Sequence, residues 1–309
     1  MTMTILDFHV PRNACEGCIA IGNFDGVHRG HAVMLQQLRS LAREIAGPAV
    51  AITFDPHPIA VLRPEFTPPV LTTIEDRKAL LRQAGADEVI VLPVTSGLLE
   101  MTAEQFFRDV VVGKFKARGV VEGPNFHFGK DRRGDVNLLQ ELCRGCGIQC
   151  HIAKSFDEAG SMVSSSRIRE LICARAMAGA VELLGHPYRL SGVVRHGAGR
   201  GRTIGFPTAN LAEIQTLLPA HGVYAGATEI NGDRYPVAVS IGPNPTFGEH
   251  REKVECHIDG FSGNLYDQKL AIDLLKEVRA LQSFRSVDEL IFQIRSDVEI
   301  CRSAAKSAF

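Results

Sequence analysis

The chain has 309 residues, 45% of them hydrophobic, and its formal net charge at pH 7 is -1. This length and composition favour two domains, each with its own core. A charge so close to zero offers no broad field to gather nucleic acid or a membrane surface, so neither is an expected partner. Residues 1–13 do not resemble a secretion signal and no apolar run could span a bilayer, which favours a cytoplasmic protein.

The eight cysteines include two pairs with CxxC spacing, Cys15/Cys18 and Cys143/Cys146. Cysteines of a cytoplasmic protein are expected to be reduced. A four-thiolate zinc site would need both pairs brought together, although they are far apart in the sequence. Buried or incidental thiols are therefore the preferred interpretation.

The first 185 residues alternate short β-like runs with helical patterns. Five strands are predicted: Ile19–Ile21, Ala49–Phe54, Val89–Pro93, Gly119–Val121 and Ile148–Ile152. An apolar stripe at steps of three and four predicts a helix after the first strand: Met34, Leu38, Leu41 and Ile45. Further helices are predicted to start at a capping box and at two N-cap residues: Thr102–Gln105, Asp135 and Ser165. Such alternation predicts a parallel sheet covered by helices.

The pattern changes after Gly185-His186-Pro187. Four β-branched runs follow: Val193-Val194, Val223–Ile230, Tyr235–Ile241 and Val254–Ile258. Asn231-Gly232 predicts a hairpin between two of them, and Ser286–Glu289 predicts the start of a final helix. The second half is therefore expected to be a small β barrel or sandwich with a C-terminal helix.

Four unusual segments follow predicted strands of the first half: Gly22–His31, Asp55–Pro58, Gly123–Gly129 and Ser164–Arg169. Taken singly, each has an ordinary interpretation as a turn, a rigid loop or a helix cap. Ligands of an open parallel sheet bind beyond the carboxyl ends of its strands. The expected convergence of all four segments on that edge predicts a binding site.

The residue types in these segments suit phosphate chemistry. His28 and His31 are expected at the start of a helix, where free N–H groups and the helix dipole favour anions. Imidazoles there can donate hydrogen bonds to a phosphoryl oxygen as charge develops on it. Ser164–Arg169 offers hydroxyls and guanidinium groups to departing phosphates. No obvious nucleophile is present, which suits direct attack of one phosphate on another.

The segments GNFDGVHRGH and SSSRIR resemble the HxGH nucleotidyltransferases, and TFDPHP and GPNFHFG narrow the resemblance to FAD synthetases. The resemblance implies a Rossmann-like domain in which His28 and His31 stabilise the α-phosphate transition state. It implies ATP and FMN binding by residues of all four segments: Gly22, Asn23, Phe24, Asp25, Gly30, Asp55, His57, Pro58, Asn125, Ser164, Ser165, Ser166, Arg167 and Arg169. The family often has Asp where this chain has Asn125. The basic cluster Lys130–Arg133 suits either phosphates or a solvated loop.

A second glycine-rich segment, His196–Asn210, lies in the other half. Its glycines would let backbone approach phosphates, and its arginines add positive charge. No Gly-Lys-Ser/Thr follows, so it is not a Walker A loop. Composition alone would favour a flexible basic loop.

The continuation GFPTANL resembles the riboflavin kinase signature, and Val254–Ile258 resembles the family strand with the catalytic carboxylate. The resemblance implies that Glu255 is the general base for the riboflavin 5′-hydroxyl and that Thr208 and Asn210 form the Mg²⁺ site. It implies ATP and flavin binding by one loop: Gly197, Gly199, Arg200, Gly201, Arg202, Gly205, Phe206, Pro207, Thr208 and Asn210. This chain departs from the family at Ser240, commonly Asn, and at Asp267, commonly Gly.

Together the motifs resemble the bifunctional riboflavin kinase/FMN adenylyltransferases over nearly the whole chain. Residues 1–185 are expected to form the adenylyltransferase domain and residues 186–309 a kinase β barrel. The resemblance implies ATP, riboflavin, FMN and FAD as substrates and products, Mg²⁺ with ATP at both sites, and no tightly bound organic cofactor. Three alternatives are a chain with one active site, a flavin-binding regulator, and a nucleotidyltransferase for another cofactor precursor. Homo-oligomerisation is left open.

Overall fold

The computed structural model describes residues 8–154, 157–158, 161–197, 199–243 and 252–308. The chain folds into two compact units. The first comprises Met1–Pro68 with Ile74–Val163, and the second comprises Pro69–Thr73 with Ser164–Phe309. Each unit contains its own principal sheet. None of the helices among the described residues is both long and apolar enough to cross a membrane.

The first unit is built on a five-stranded parallel sheet: β1 (Cys18–Ile21), β2 (Ala49–Asp55), β3 (Glu88–Pro93), β4 (Gly119–Glu122) and β5 (Gln149–Ile152). The predicted strands are thus confirmed within one residue at each end. The strand order is β3-β2-β1-β4-β5, so successive strands are added on one side of β1 up to β3 and on its other side from β4 onward. The crevice outside the carboxyl ends of β1 and β4 is the expected ligand position in an open sheet.

Helices cover both faces of this sheet. They are α1 (Arg29–Glu44), α2 (Pro58–Leu62), α3 (Ile74–Gln83), α4 (Ser96–Leu99), α5 (Ala103–Phe106), which continues as a π-helix over Phe107–Lys114, and α6 (Val136–Gly145). The predicted stripe of α1 is buried on one face with Leu81 of α3. The capping box at Thr102–Gln105 and the N-cap at Asp135 are confirmed. Alternate sheet residues therefore bury apolar side chains in two layers.

Two expectations about the end of this region were wrong. A two-stranded hairpin, β6 (Asp157–Glu158) and β7 (Ser161–Met162), lies between β5 and the next helix. Helix α7 (Ser165–Cys173) therefore does not follow the fifth strand directly. Its N-cap is Ser164 rather than Ser165, because the Ser164 hydroxyl accepts the backbone N–H of Arg167 at 3.2 Å.

The second unit is a closed six-stranded antiparallel barrel, ordered β10-β11-β12-β9-β8-β13. Its strands are β8 (Tyr188–Arg195), β9 (Ala209–Ala212), β10 (Gly222–Ile230), β11 (Asp233–Gly242), β12 (Lys253–Ile258) and β13 (Lys269–Arg279). Its other helices are α8 (Met177–Leu184), α9 (Arg200–Thr203) and α10 (Val287–Ala308). This resolves the choice between barrel and sandwich in favour of the barrel.

The turn signals of the second half are confirmed. Asn231 and Gly232 have φ angles of 56° and 89° and join β10 to β11. Ser286 accepts the N–H of Glu289 at 3.2 Å at the start of α10. Strands β9 and β13 have no counterpart among the predicted runs.

Two elements pack on the outside of the barrel. Helix α10 contacts β10, β11 and β13, and helix α8 contacts β8 and β13. Helix α7 packs against α8, and the N–H of Ala220 donates to the carbonyl of Ile172 in α7. Residues Ser164–Leu184 therefore belong to the second unit by their contacts, whereas the sequence predicts a domain boundary at residue 185.

Candidate active sites

The turn after β1 is held tightly at the carboxyl edge of the first sheet. The N–H of Gly22 donates to the carbonyl of Ile52 at 2.9 Å. Phe24 and Val27 are both buried, with φ angles of 48° and 40°. Left-handed backbone at two bulky residues is costly and persists only where the surroundings impose it. The turn is thus anchored by its own buried side chains before the chain enters α1.

The two predicted catalytic histidines are stacked at the start of α1. Their ring centroids are 3.6 Å apart with 16° between the planes. His28 is the N-cap residue, and its Nδ1 accepts the N–H of His31 at 3.4 Å. A neutral His28 therefore carries its proton on Nε2.

His31 is held in the neutral form. Burial, the neighbouring His28 and the Arg77 guanidinium together keep its pKa well below the ordinary value of 6.5. Its Nδ1 is buried and has no hydrogen-bond partner within the described structure. An unpaired lone pair costs less there than an unpaired N–H, so Nε2 is the proton-bearing nitrogen. Each histidine can therefore offer one N–H to an anion.

Asp25, in the same turn, makes a buried ion pair that was not predicted. Nη2 of Arg77, from α3, lies 3.2 Å from Oδ1 of Asp25, and their side chains are 5% and 3% exposed. No sequence signal marked Arg77, because it stands in an ordinary charged helical segment. The predicted ligand residue Asp25 thus has a structural partner.

The end of β2 meets the turn through His57. This residue caps α2 by accepting the N–H of Ile59 on Nδ1 at 3.1 Å. Its Nε2 lies 3.0 Å from the side-chain amide of Asn23. The structure therefore brings two predicted ligand segments together through Asn23 and His57, and Asp55 and Pro58 lie on either side of His57 in the sequence.

The last residue of β4 is a second buried charged residue that was not predicted. Glu122 is 1% exposed, and its Oε1 accepts the N–H of Ile21 at 2.7 Å. Burial raises the pKa of this carboxyl well above its ordinary value. The contact links the carboxyl ends of β1 and β4, just before Gly123–Gly129, the segment that contains Asn125. Lys130 of the adjacent basic cluster is paired with Glu100.

The residues of the SSSRIR segment lie at the start of α7, in the second unit. Ser164 caps the helix, and Ser165 and Ser166 occupy its first turn. Arg167 pairs with Glu170 at 2.9 Å, and Nε of Arg169 donates to the carbonyl of Pro69 at 2.7 Å. Both guanidinium groups thus have protein partners. Their part in adenylyl transfer stays a prediction from the motif.

The glycine-rich loop of the barrel packs closely against β9. A Cβ at Gly197 would lie 2.1 Å from Nδ2 of Asn210, and one at Gly201 would lie 2.2 Å from the carbonyl oxygen of Phe206. A side chain at Gly201 would clash with backbone, and one at Gly197 would have to displace the Asn210 side chain. The two glycines therefore let the loop lie directly beside Asn210. Arg200 and Arg202 fall in the short helix α9, while Ala198 lies outside the described residues.

Two cavities open beside this loop. The first cavity, about 160 Å³, has a largely apolar wall that includes Phe206, Leu281 and Phe284. The second cavity, about 470 Å³, includes Phe261 and Tyr266 in its lining. Thr208 lines both cavities. Two ligands could therefore meet at this residue.

Glu255 lines the first cavity from β12. It lies opposite Asn210 of β9 on one side and opposite Ser240 of β11 on the other. Directly opposed residues of antiparallel strands project on the same face. The departure at Ser240 is therefore adjacent to the predicted base, and Ser240 also lines the first cavity.

The first cavity is bounded by an ion pair between β13 and α10. Arg279 contacts both carboxylate oxygens of Asp297, the shortest distance being 2.8 Å, and its guanidinium carbon lies 5.7 Å from the centre of the Phe284 ring. Asp297 is 3% exposed. Both charged residues line the cavity. The sequence assigned no role to either residue.

The departure at Asp267 has a structural explanation. Its φ is 61°, a conformation that glycine adopts without strain, which accounts for the common family residue. Its carboxylate pairs with Arg195 at 2.5 Å, and its N–H donates to the carbonyl of Val194. Next to it, Tyr266 stacks on His196 with centroids 3.8 Å apart.

The α/β unit has N–H groups that can donate to an anion at the ends of its parallel strands, and the barrel has two cavities that meet at a threonine. Together they define a nucleotide-dependent transferase with two sites. The FAD synthetase family matches residues 10–167, and the riboflavin kinase family matches residues 184–305.

Curated relatives match along most of their length. Bifunctional riboflavin kinase/FMN adenylyltransferases are 36% identical in Escherichia coli (strain K12), covering 91% of each chain, and 35% identical in Pseudomonas fluorescens, covering 96% of each. A solved structure from Streptococcus pneumoniae, described as a macrolide-efflux protein, is 30% identical with a TM-score of 0.85 over 96% of both chains. The chain belongs to the bifunctional riboflavin kinase/FMN adenylyltransferase family. It is a transferase with both activities, and its substrates and products are ATP, riboflavin, FMN and FAD.

Proposed function

We propose that the two activities use the residues described above, and that Thr208, shared by both barrel cavities, marks the point of phosphoryl transfer. Riboflavin occupies the first cavity, whose aromatic and aliphatic wall suits a flat tricyclic ring. ATP enters through the second cavity, so that its γ-phosphate reaches Thr208. The shared lining residue is the observation that carries this assignment.

Glu255 is the proposed general base of the kinase reaction. It lines the flavin cavity close to the strand position of Asn210. The carboxylate takes the proton of the riboflavin 5′-hydroxyl as that oxygen attacks the γ-phosphorus, and ADP leaves.

Mg²⁺ is proposed to accompany ATP, and the residues present fit it. Thr208 and Asn210 offer hydroxyl and amide oxygens, which are hard ligands of the kind Mg²⁺ prefers. Asn210 lies against the backbone of Gly197, so the glycine-rich loop is directly beside this amide. When bound, the ion neutralises phosphate charge.

At the first unit, His28 and His31 are proposed to donate Nε2–H to the α-phosphate of ATP. A phosphate oxygen of FMN attacks the α-phosphorus, the bond to the β-phosphate breaks, and pyrophosphate leaves. Donors that are oriented before the reaction stabilise the developing charge without reorganisation. The stacked rings and their N-cap geometry support this role.

A cytoplasmic location is also proposed, since all eight cysteines are free thiols and suit a reducing compartment. The proposal includes neither nucleic acid nor a membrane as partner, and it leaves homo-oligomerisation open.

Incubation with riboflavin, ATP and Mg²⁺, followed by chromatography, tests the proposal. FMN and FAD should both appear, and omission of Mg²⁺ should abolish both. FMN alone would support a chain with one active site, and binding of flavin without turnover would support a regulator. Adenylylation of a different cofactor precursor in place of FMN would support the third alternative.

A further inference from the structure

Arg77 is buried beneath the predicted adenylyl-transfer site, although no motif includes it. The residue is 4% exposed and projects from α3. Burying a guanidinium is costly unless charge and hydrogen-bond partners are provided. The hydrogen-bond and ion-pair partners of Arg77 therefore indicate the role of this side chain.

The guanidinium contacts two segments that come from different strands. Nη2 lies 3.2 Å from Oδ1 of Asp25 in the turn after β1. Nη1 donates to Oγ1 of Thr53 at 3.3 Å and lies 3.5 Å from the carbonyl oxygen of Phe54 on β2. The Thr53 hydroxyl in turn donates to the carbonyl of Asn23 at 2.9 Å. One side chain thus connects the turn that precedes the histidines with the end of β2.

We propose that Arg77 is a positioning residue for adenylyl transfer, whose planar guanidinium fixes the turn Gly22–Val27 against β2 and thereby places His28 and His31. The inference rests on the proposed roles of the two histidines. It explains why the costly turn backbone at Phe24 and Val27 is maintained.

The geometry requires arginine rather than charge alone. A guanidinium presents several N–H groups in one plane, so it can reach the Asp25 carboxylate and Thr53 together. A lysine ammonium is a point charge and cannot direct N–H groups in one plane to both partners. The positive charge also contributes to keeping His31 neutral, together with burial and His28.

The test compares Arg77→Lys and Arg77→Met with Arg82→Met, an exposed arginine on the same helix. Steady-state FAD synthesis from FMN and ATP is measured in the full chain, with riboflavin phosphorylation as an internal control. We expect kcat for FAD synthesis to fall by about 10-fold in Arg77→Lys and about 100-fold in Arg77→Met, because small misplacements of catalytic groups are costly. KM values should change by less than about 3-fold, since positioning acts mainly on the transition state. Arg82→Met should match the unmodified chain.

Several results would overturn the inference. Unchanged kcat in Arg77→Lys would show that the planar N–H groups of the guanidinium are not needed. A rise in KM with unchanged kcat would make Arg77 part of substrate binding, and a parallel loss of kinase activity would indicate a general folding defect. If Arg77→Met does not fold, the kcat of Arg77→Lys for FAD synthesis is by itself the test of the positioning role. An unmodified chain that makes FMN but no FAD would instead refute the proposed adenylyl function.

Discussion

Glu255 and Asn210 lie directly opposite each other on neighbouring strands of the barrel, although 44 intervening positions separate them along the chain. The pairing places a predicted base and a predicted metal–phosphate ligand on the same face. Ser240 extends the row on the next strand. This cross-strand row is the structural basis of the kinase site.

Glu255→Gln should lower riboflavin phosphorylation by about 10²–10⁴-fold, because it removes the proton acceptor and keeps the shape of the side chain. Riboflavin affinity should change little. Initial rates and fluorescence titration of riboflavin measure the two quantities. Glu229→Gln, at an exposed carboxylate on β10, is the matched control. Equal losses of binding and turnover would make Glu255 a binding residue.

His28→Ala and His31→Ala should each slow FAD synthesis by about 10²–10³-fold, as expected for loss of a preorganised donor. Kinase activity should persist, since the cavities of the barrel contain neither residue. A coupled pyrophosphate assay measures the adenylyl step, with His151→Ala, an exposed histidine on β5, as the control. Two single variants with full activity would refute the role assignment.

Glu122 should make folding stability depend on pH. Burial raises its pKa well above the ordinary value of 4.5, so the folded chain holds this proton to higher pH than the unfolded chain does. Its contribution to stability is therefore present below pH 4.5 and is lost as pH rises through the folded pKa. The glutamine of Glu122→Gln cannot titrate. The thermal midpoint of this variant minus that of the unmodified chain should therefore be larger at pH 8 than at pH 5.

The control for this measurement is Glu141→Gln, at an exposed carboxylate on α6, which should show no such pH-dependent difference. Thermal unfolding followed by circular dichroism gives the midpoints. A constant offset between Glu122→Gln and the unmodified chain at both pH values would contradict a raised pKa.

Fragments test the division of the chain. Residues 187–309 contain all the predicted kinase motifs, so this fragment should convert riboflavin to FMN and make no FAD. It lacks α8, whose Met177 and Leu184 are fully buried. Burial of each such side chain is worth about 1.5–3 kcal/mol. Residues 164–309 should therefore unfold at a higher temperature than residues 187–309.

Calorimetry and a kinase assay on both fragments provide the comparison. Equal thermal midpoints would place the domain boundary at residue 185, as the sequence predicts. A cooperatively folded fragment 164–309 without kinase activity would show that the kinase reaction needs residues of the first unit.

The sequence by itself determined the five parallel strands, the β character of the second half, the hairpin at Asn231-Gly232 and both family memberships. These features depend on local periodicity, turn chemistry and short motifs, all of which can be recognised within a few residues. The same locality explains why the start of α7 was placed within one residue.

Only the tertiary structure decided what depends on distant partners. Ala209–Ala212 has weak strand propensity and becomes β9 because β8 and β12 supply its hydrogen bonds. Lys269–Arg279 is rich in helix formers, yet pairing with β8 and β10 makes it β13 and closes the barrel. Arg77 and Glu122 are ordinary charged residues in the sequence. Their importance arises from burial and from hydrogen bonds to segments far away in the chain, which no local pattern contains.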